Sequence, residues 1–170
     1  STINKRFNDD PSSWFRYHAL RNESMKNWGE QNPYQYIASK IDDIGDTVVD
    51  FGCGENLLQF EIPKNKVIGV DHISCNESIA CDMRDISEHV DDSSVEVAVF
   101  SLSLWGVNFK EYLKEAHRVL DRKGFIYIAE TCHRYPNDQD LIDLIRESGF
   151  KVVGSVDRKE KFVYITGIKT

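Results

Sequence analysis

The sequence predicts an α/β fold built on a seven-stranded, mostly parallel sheet with one antiparallel strand and helices on both faces. Three observations lead there. Short β-rich runs alternate with polar or helical stretches through the first two thirds of the chain, which calls for parallel strands joined by right-handed crossovers. The last two runs are separated only by "DRKE" at 157–160, a hairpin-length loop, so they pair antiparallel. The length of 170 residues, with 41% hydrophobic and 29% charged side chains, suits one domain that buries its own core.

Taken in order, residues 1–11, "STINKRFNDDP", read as a flexible lead-in, and 12–170 as the single domain. A helix starts from Ser12 or Ser13 as N-cap. A second begins after Asn32, with Pro33 in its first turn, and runs to about Asp43. Strands follow at 47–51 (TVVDF), 66–70 (KVIGV), 78–81 (SIAC), 95–101 (VEVAVFS), 124–130 (GFIYIAE), 150–156 (FKVVGSV) and 161–169 (KFVYITGIK). Apolar residues at helical spacing predict helices over Lys110–Leu120 and Asp138–Ser148. Asp121-Arg122-Lys123-Gly124 turns the chain into the fifth strand, and Gly149 ends the last helix.

Charge is unevenly spread. Residues 41–100 hold three Lys/Arg against fourteen Asp/Glu, whereas the flanking parts each have a surplus of two positive charges. The overall −7 argues against strong general attraction to nucleic acid, so an anionic partner would meet the flanks. Cys53, Cys75, Cys81 and Cys132 form no C-x-x-C pair and no zinc-site spacing, which predicts reduced thiols, no bound metal and an intracellular setting. No apolar run approaches membrane-spanning length.

The stretch "VVDFGCGEN" runs from a buried strand into two glycines, Gly52 and Gly54. In open α/β sheets ligands bind at the carboxyl ends of strands, near the point where strand order reverses. A dinucleotide turn would have a third glycine where Leu57 stands, and its diphosphate would not welcome Asp50 two residues before the first. An acid there suits a cationic amino-acid end. Asp71 at the end of the second strand is placed for a ribose diol. Asp82, in "CDM", can accept from an adenine amino group, with Met83 offering a backbone N–H and an apolar contact. Each acid alone is weak evidence, since strand-end aspartates often just cap turns. Three on successive strands describe a pocket for an adenosine with a charged, phosphate-free tail, and S-adenosylmethionine fits best.

Those motifs, with "VEVAVFSLSLWGVNFKEYLKEAHRVLDRKGFIYIAE" and the N-terminal "YHALRNESMKNWGEQNP", resemble the Rrp8 (nucleomethylin, ribosomal RNA-processing protein 8) family of class I S-adenosylmethionine-dependent methyltransferases. The resemblance covers roughly residues 14 to 168. It departs at "NWGEQN", where the family usually has Trp-Pro. It implies a class I (Rossmann-like) methyltransferase fold with an N-terminal helical lid over 12–43, and cofactor contacts at His18, Gly52, Asp71, Asp82, Met83 and Ser101. From composition alone His18 reads as a packed or surface residue. The resemblance further implies methylation of adenine N1 in large-subunit ribosomal RNA, S-adenosyl-L-homocysteine as product, and a cytoplasmic or nuclear/nucleolar location. RNA is then the partner, with additional domains or partner proteins supplying affinity.

Adenine N1 carries a lone pair and needs no strong base, so no catalytic residue is assigned. "SLSLWG" after the fourth strand agrees, having no acid. Substrate-pocket candidates are Ser103, Trp105, Tyr17 and Arg21. Trp105 has two readings of equal weight, stacking on a flipped base or packing under the following helix. Glu130 and His133 could face the substrate, whereas His89 and His117 read as surface or packing residues. Two other functions stand beside the first: a cofactor-binding module that holds partners with little or no catalysis, and a small-molecule methyltransferase.

Overall fold

The computed structural model describes residues 12, 15–16, 19, 32–41, 45–104 and 108–170. Ser12, Phe15, Arg16 and Ala19 are helical; the residues that would show where that helix begins lie outside the described ones. Residues 1–11 and most of the expected lid lie outside the described residues.

Helix α1 (Pro33–Ala38) opens with a capping box: Asn32 Oδ1 accepts the Tyr34 N–H at 2.8 Å, and Gln35 Oε1 accepts the Asn32 N–H at 3.3 Å. Strand β1 (Thr47–Phe51) follows, then a one-turn helix α2 (Leu58–Glu61) not foreseen in the sequence. Next come β2 (Lys66–Asp71), β3 (Ile79–Ala80) and β4 (Val95–Ser101), then helix α3 (Phe109–Val119) and β5 (Leu120–Thr131). Helix α4 (Asp138–Glu147), β6 (Phe150–Arg158) and β7 (Phe162–Lys169) complete the chain.

The sheet order is β3-β2-β1-β4-β5-β7-β6. All neighbours are parallel except at β7, which is antiparallel to both β5 and β6. The chain therefore starts the sheet in the middle, and its order reverses between β1 and β4. Both faces are covered, so the central strands are apolar on both sides. Val49, Ala98, Phe100, Val163 and Ile165 face one core with Leu113 and Ala116 of α3 and Leu141 and Ile145 of α4. Val48, Val97, Val99, Phe162 and Tyr164 face the other with Ile37 of α1 and Leu58 of α2. Each buried Val, Leu, Ile or Phe among them contributes about 1.5–3 kcal/mol.

Several boundaries differ from the sequence reading for identifiable reasons. Leu120 continues the apolar spacing of α3, but its backbone is extended (φ −69°, ψ 135°) because it pairs with Val95. The Asp121–Gly124 turn is present as an insertion within β5: register passes from Val95↔Leu120 to Val97↔Phe125, and Lys123 is left-handed at φ 64°. The strand expected over 78–81 shrinks to Ile79–Ala80. Helix α1 stops at Ala38, where the Ser39 N–H bonds back to Gln35 and its hydroxyl to the Tyr36 carbonyl. Strand β6 runs past Val156 to Arg158, with a bulge between Val153 and Asp157 centred on Gly154 (φ 69°). Gly149, left-handed at φ 93°, ends α4 as expected.

Helix α3 also governs the loop that follows β3. Glu115 is buried on its inner face and accepts the Ile86 N–H and the Arg118 guanidinium. Arg118 in turn donates to the Val90 carbonyl at 3.1 Å and pairs with Asp92. This network pins residues 86–92, and with them the adjoining Asp82–Met83 segment, against α3.

Candidate active site

Backbone register assembles the site. Phe51 is level with Val70 of β2 on one side and Phe100 of β4 on the other, so Gly52, Asp71 and Ser101 come side by side at the carboxyl edge of the sheet. This is where strand order reverses, the expected ligand position. Phe51 and Phe100 stack at 4.8 Å beneath it as an apolar floor.

The glycine turn leaves β1 with Gly52 and Gly54 both left-handed, at φ 74° and 58°. Gly52 and Cys53 both donate to the Val70 carbonyl, at 2.8 and 3.2 Å. Asp71, 4% exposed, spans the next bond: one carboxylate oxygen accepts the Gly54 N–H at 2.9 Å and the other the His72 N–H at 2.7 Å. The acid at the end of β2 is thus part of the turn's own architecture. Asp50 is fully buried on the face of β1 that also carries Val48. Burial pushes the Cys53 thiol up, and the charges of Asp50 and Asp71 add to it, so the turn sits in a negative field.

Asp82 behaves differently. Its side chain is half exposed and grips the Arg84 guanidinium at 2.6 Å, which holds its carboxyl below the usual range. Met83 is packed into the core below it, 5% exposed. Ser101 is buried at the end of β4. Leu102 follows with a left-handed backbone (φ 57°), and Ser103 comes back over Gly52. Glu130, fully buried at the end of β5, accepts the Leu104 N–H at 2.8 Å and pairs with Arg134 at 3.4 Å. It supports the segment after β4 from below, while His133 is exposed. His117 packs edge-on against Phe150 and His89 is exposed, matching their expected roles. His18, Tyr17, Arg21 and Trp105 lie outside the described residues.

Sequence reasoning missed a clip made by two asparagines. Asn56 Nδ2 donates to the Asn76 carbonyl at 2.9 Å, and Asn76 Nδ2 to the Glu55 carbonyl at 2.7 Å. Both are left-handed, at φ 57° and 50°, a conformation asparagine tolerates better than most residues. The clip ties the glycine turn to the β2–β3 loop. An asparagine just past a glycine turn was the one visible hint.

His72 is one source of pH dependence in the site. Burial lowers its pKa and the Arg84 charge helps, against the opposing pull of Asp71 and Asp82. A histidine held neutral in the fold takes up its proton more readily when unfolded. Its contribution is therefore complete above about pH 6.5 and declines as pH falls from there toward the folded-state pKa. Thermal midpoints should accordingly fall between about pH 7 and 5, and His72→Gln should flatten that slope. An unchanged slope in the variant would assign it to other groups, with His117, also lowered mainly by burial, next in line.

Among the described residues no group of three or more His, Cys, Asp or Glu is placed to hold a metal ion, and no helix is long and apolar enough to cross a membrane.

A family model described as "Hypothetical methyltransferase" matches residues 1–170. Ribosomal RNA-processing protein 8 of Arabidopsis thaliana is 40% identical over 155 residues, which are 86% of this chain and 53% of that protein. The 25S rRNA (adenine(645)-N(1))-methyltransferase of Schizosaccharomyces pombe is 31% identical over 145 residues, 76% of this chain and 44% of that protein. Among solved structures, the 1,6-didemethyltoxoflavin-N1-methyltransferase of Burkholderia thailandensis, with bound 1,6-didemethyltoxoflavin and S-adenosylhomocysteine, superposes with a TM-score of 0.73 at 15% identity. That match covers 94% of this chain and 86% of the other. It shows a shared fold. The chain spans about a third to a half of the length of the curated relatives it matches.

Proposed function

We propose, from the premise that this chain belongs to the hypothetical methyltransferase family, that it is an S-adenosylmethionine-dependent methyltransferase acting on N1 of an adenine in RNA, large-subunit ribosomal RNA above all. The relatives bear out the resemblance to the Rrp8 family. The observation that carries the reading is the glycine turn stapled to buried Asp71 at the strand-order reversal, with Asp50 buried beside it.

The residues fit that cofactor on chemical grounds. Two buried carboxylates around one turn repel a diphosphate and suit a sulfonium and an ammonium group. Gly52 and Gly54 present main chain where side chains would intrude. We assign the adenosyl side to Asp71, Asp82 and Met83, the methionine side to Asp50, Gly52, Gly54 and Ser101, and closure to His18 in a lid over 12–43. Residues 12–170 act as one domain. Trp105, Tyr17 and Arg21, with Ser103, form the acceptor side.

When bound, S-adenosylmethionine supplies an electrophilic methyl group. This chain's part is to align it with the acceptor and exclude water, and holding two reactants in line can lower a barrier by about 7–11 kcal/mol. Adenine N1 brings its own lone pair, so the absence of an acid in 101–104 is no handicap. The site of action follows the substrate: the nucleolus, in a cell that has one.

The test has two steps. Calorimetry with S-adenosylhomocysteine should show one site per chain. Labelled S-adenosylmethionine should then mark total RNA from cells lacking this protein, and the label should be recovered as 1-methyladenine. Label in protein or DNA alone, or none anywhere while S-adenosylhomocysteine binds, would overturn the RNA assignment.

A further inference from the structure

Three buried polar atoms around the glycine turn have no hydrogen-bond partner among the described residues: Asn56 Oδ1, His72 Nε2 and Ser103 Oγ. Buried polar atoms are nearly always satisfied, so each calls for an account. Asn56 spends its Nδ2 on the clip, which leaves Oδ1 turned against Gly69. Ser103 has no such account within the fold. It is 7% exposed, and its neighbours hold it from both sides: the Leu102 N–H donates to the Ala129 carbonyl at 2.8 Å and the Leu104 N–H to Glu130 at the same distance. Between them the left-handed backbone of Leu102 is a conformation that leucine adopts only where its surroundings impose it.

Position narrows the role. A Cβ on Gly52 would lie 2.6 Å from Ser103 Cβ and 3.4 Å from its Oγ, so the hydroxyl sits directly beside the glycine turn. Strand β4 flanks β1 on the side opposite β2 and β3. The acids assigned to the adenosyl group end β2 and follow β3. Ser103 is thus on the side of the turn away from those acids, the side they leave to an acceptor.

We propose that Ser103 is a substrate-binding residue whose hydroxyl oxygen accepts a hydrogen bond from the 6-amino group of the target adenine; this rests on the adenine N1 reading above. The lone pair of N1 forms the new N–C bond, and the C–S bond breaks with its electron pair left on sulfur. The positive charge that leaves sulfur is shared between N1 and N6 of the purine. The 6-amino N–H becomes a stronger donor as transfer proceeds, so its bond to Ser103 tightens in the transition state and adds to rate as well as to binding. No proton has to move.

The experiment compares two short RNAs, identical except that the target position carries adenosine in one and purine riboside, which keeps N1 but lacks the amino group, in the other. The wild type and Ser103→Ala are measured for transfer rate, for RNA affinity with S-adenosylhomocysteine present, and for S-adenosylhomocysteine affinity by calorimetry. Ser103→Ala should lower transfer to the adenosine RNA about 3–10-fold, the range of one neutral hydrogen bond. RNA affinity should fall in the same direction, with little change on purine riboside RNA and S-adenosylhomocysteine affinity preserved. An equal loss on both RNAs would make Ser103 a packing or water-binding residue, and a matching loss of S-adenosylhomocysteine affinity would make it a cofactor contact; either overturns the proposal. A wild type that methylates no adenine removes the N1 reading and this inference with it.

Discussion

Replacing Gly52 with alanine should reduce S-adenosylhomocysteine affinity by at least about two orders of magnitude, about 2.7 kcal/mol, and destabilise the fold. Two costs combine. At φ 74° an alanine is strained, by about 1–2 kcal/mol. Its Cβ would also stand 2.6 Å from Ser103 Cβ, a stiff position held by hydrogen bonds on either side rather than a movable side-chain tip, and such overpacking costs about 1–3 kcal/mol. Together these should lower the thermal midpoint by roughly 5–15 °C for a chain of this size. Gly45→Ala is the control. It shares a left-handed backbone, φ 85°, but its nearest neighbour is the Lys64 carbonyl oxygen at 3.9 Å, so it pays strain without collision. Adding Ser103→Gly to Gly52→Ala should recover part of the stability. No recovery in the double variant would locate the damage in the backbone alone.

Asp71→Ala should have a comparable effect, and for a reason beyond any contact with ribose. Its two oxygens hold the Gly54 and His72 N–H groups, and hydrogen bonds to a charged group contribute about 1.5–3 kcal/mol each. Asparagine should rescue poorly, since it would aim an amide donor at one of the two N–H groups. Asp82→Ala should cost far less, because an exposed ion pair such as Asp82–Arg84 contributes about 0–1 kcal/mol. S-adenosylhomocysteine affinity should therefore fall by over about 100-fold for Asp71→Ala and by under about 10-fold for Asp82→Ala. Equal losses in calorimetry would refute this ranking.

That ranking marks where the sequence stopped being informative. Three strand-end aspartates look alike as letters, and only tertiary placement separates one that builds the turn from one that lies at the rim. The strands themselves were legible, because residues such as Val48, Val49, Val97 and Val99 form β-branched runs too apolar for anything but a two-sided burial. Leu120 misled, since its spacing continues a helix whereas its pairing partner lies 25 positions earlier, at Val95. The Asn56–Asn76 clip and the hold of Glu115 on Ile86 were invisible for the same reason. Each depends on contacts across some 20 to 29 positions that no local pattern encodes. Ser103 could be named from its position after the fourth strand, but its unsatisfied hydroxyl belongs to the fold.

The two outer borders of the sheet deserve a last consequence. Strand β3 is two residues long, and β6 is broken by a bulge at Gly154. Rows of free main-chain groups invite another molecule to continue the hydrogen-bond ladder, and shortness and bulging are what discourage it. Edge-to-edge fibre growth is thereby disfavoured at both ends, which lets the central strands be as uniformly oily as they are without making the folded molecule a seed for its own aggregation.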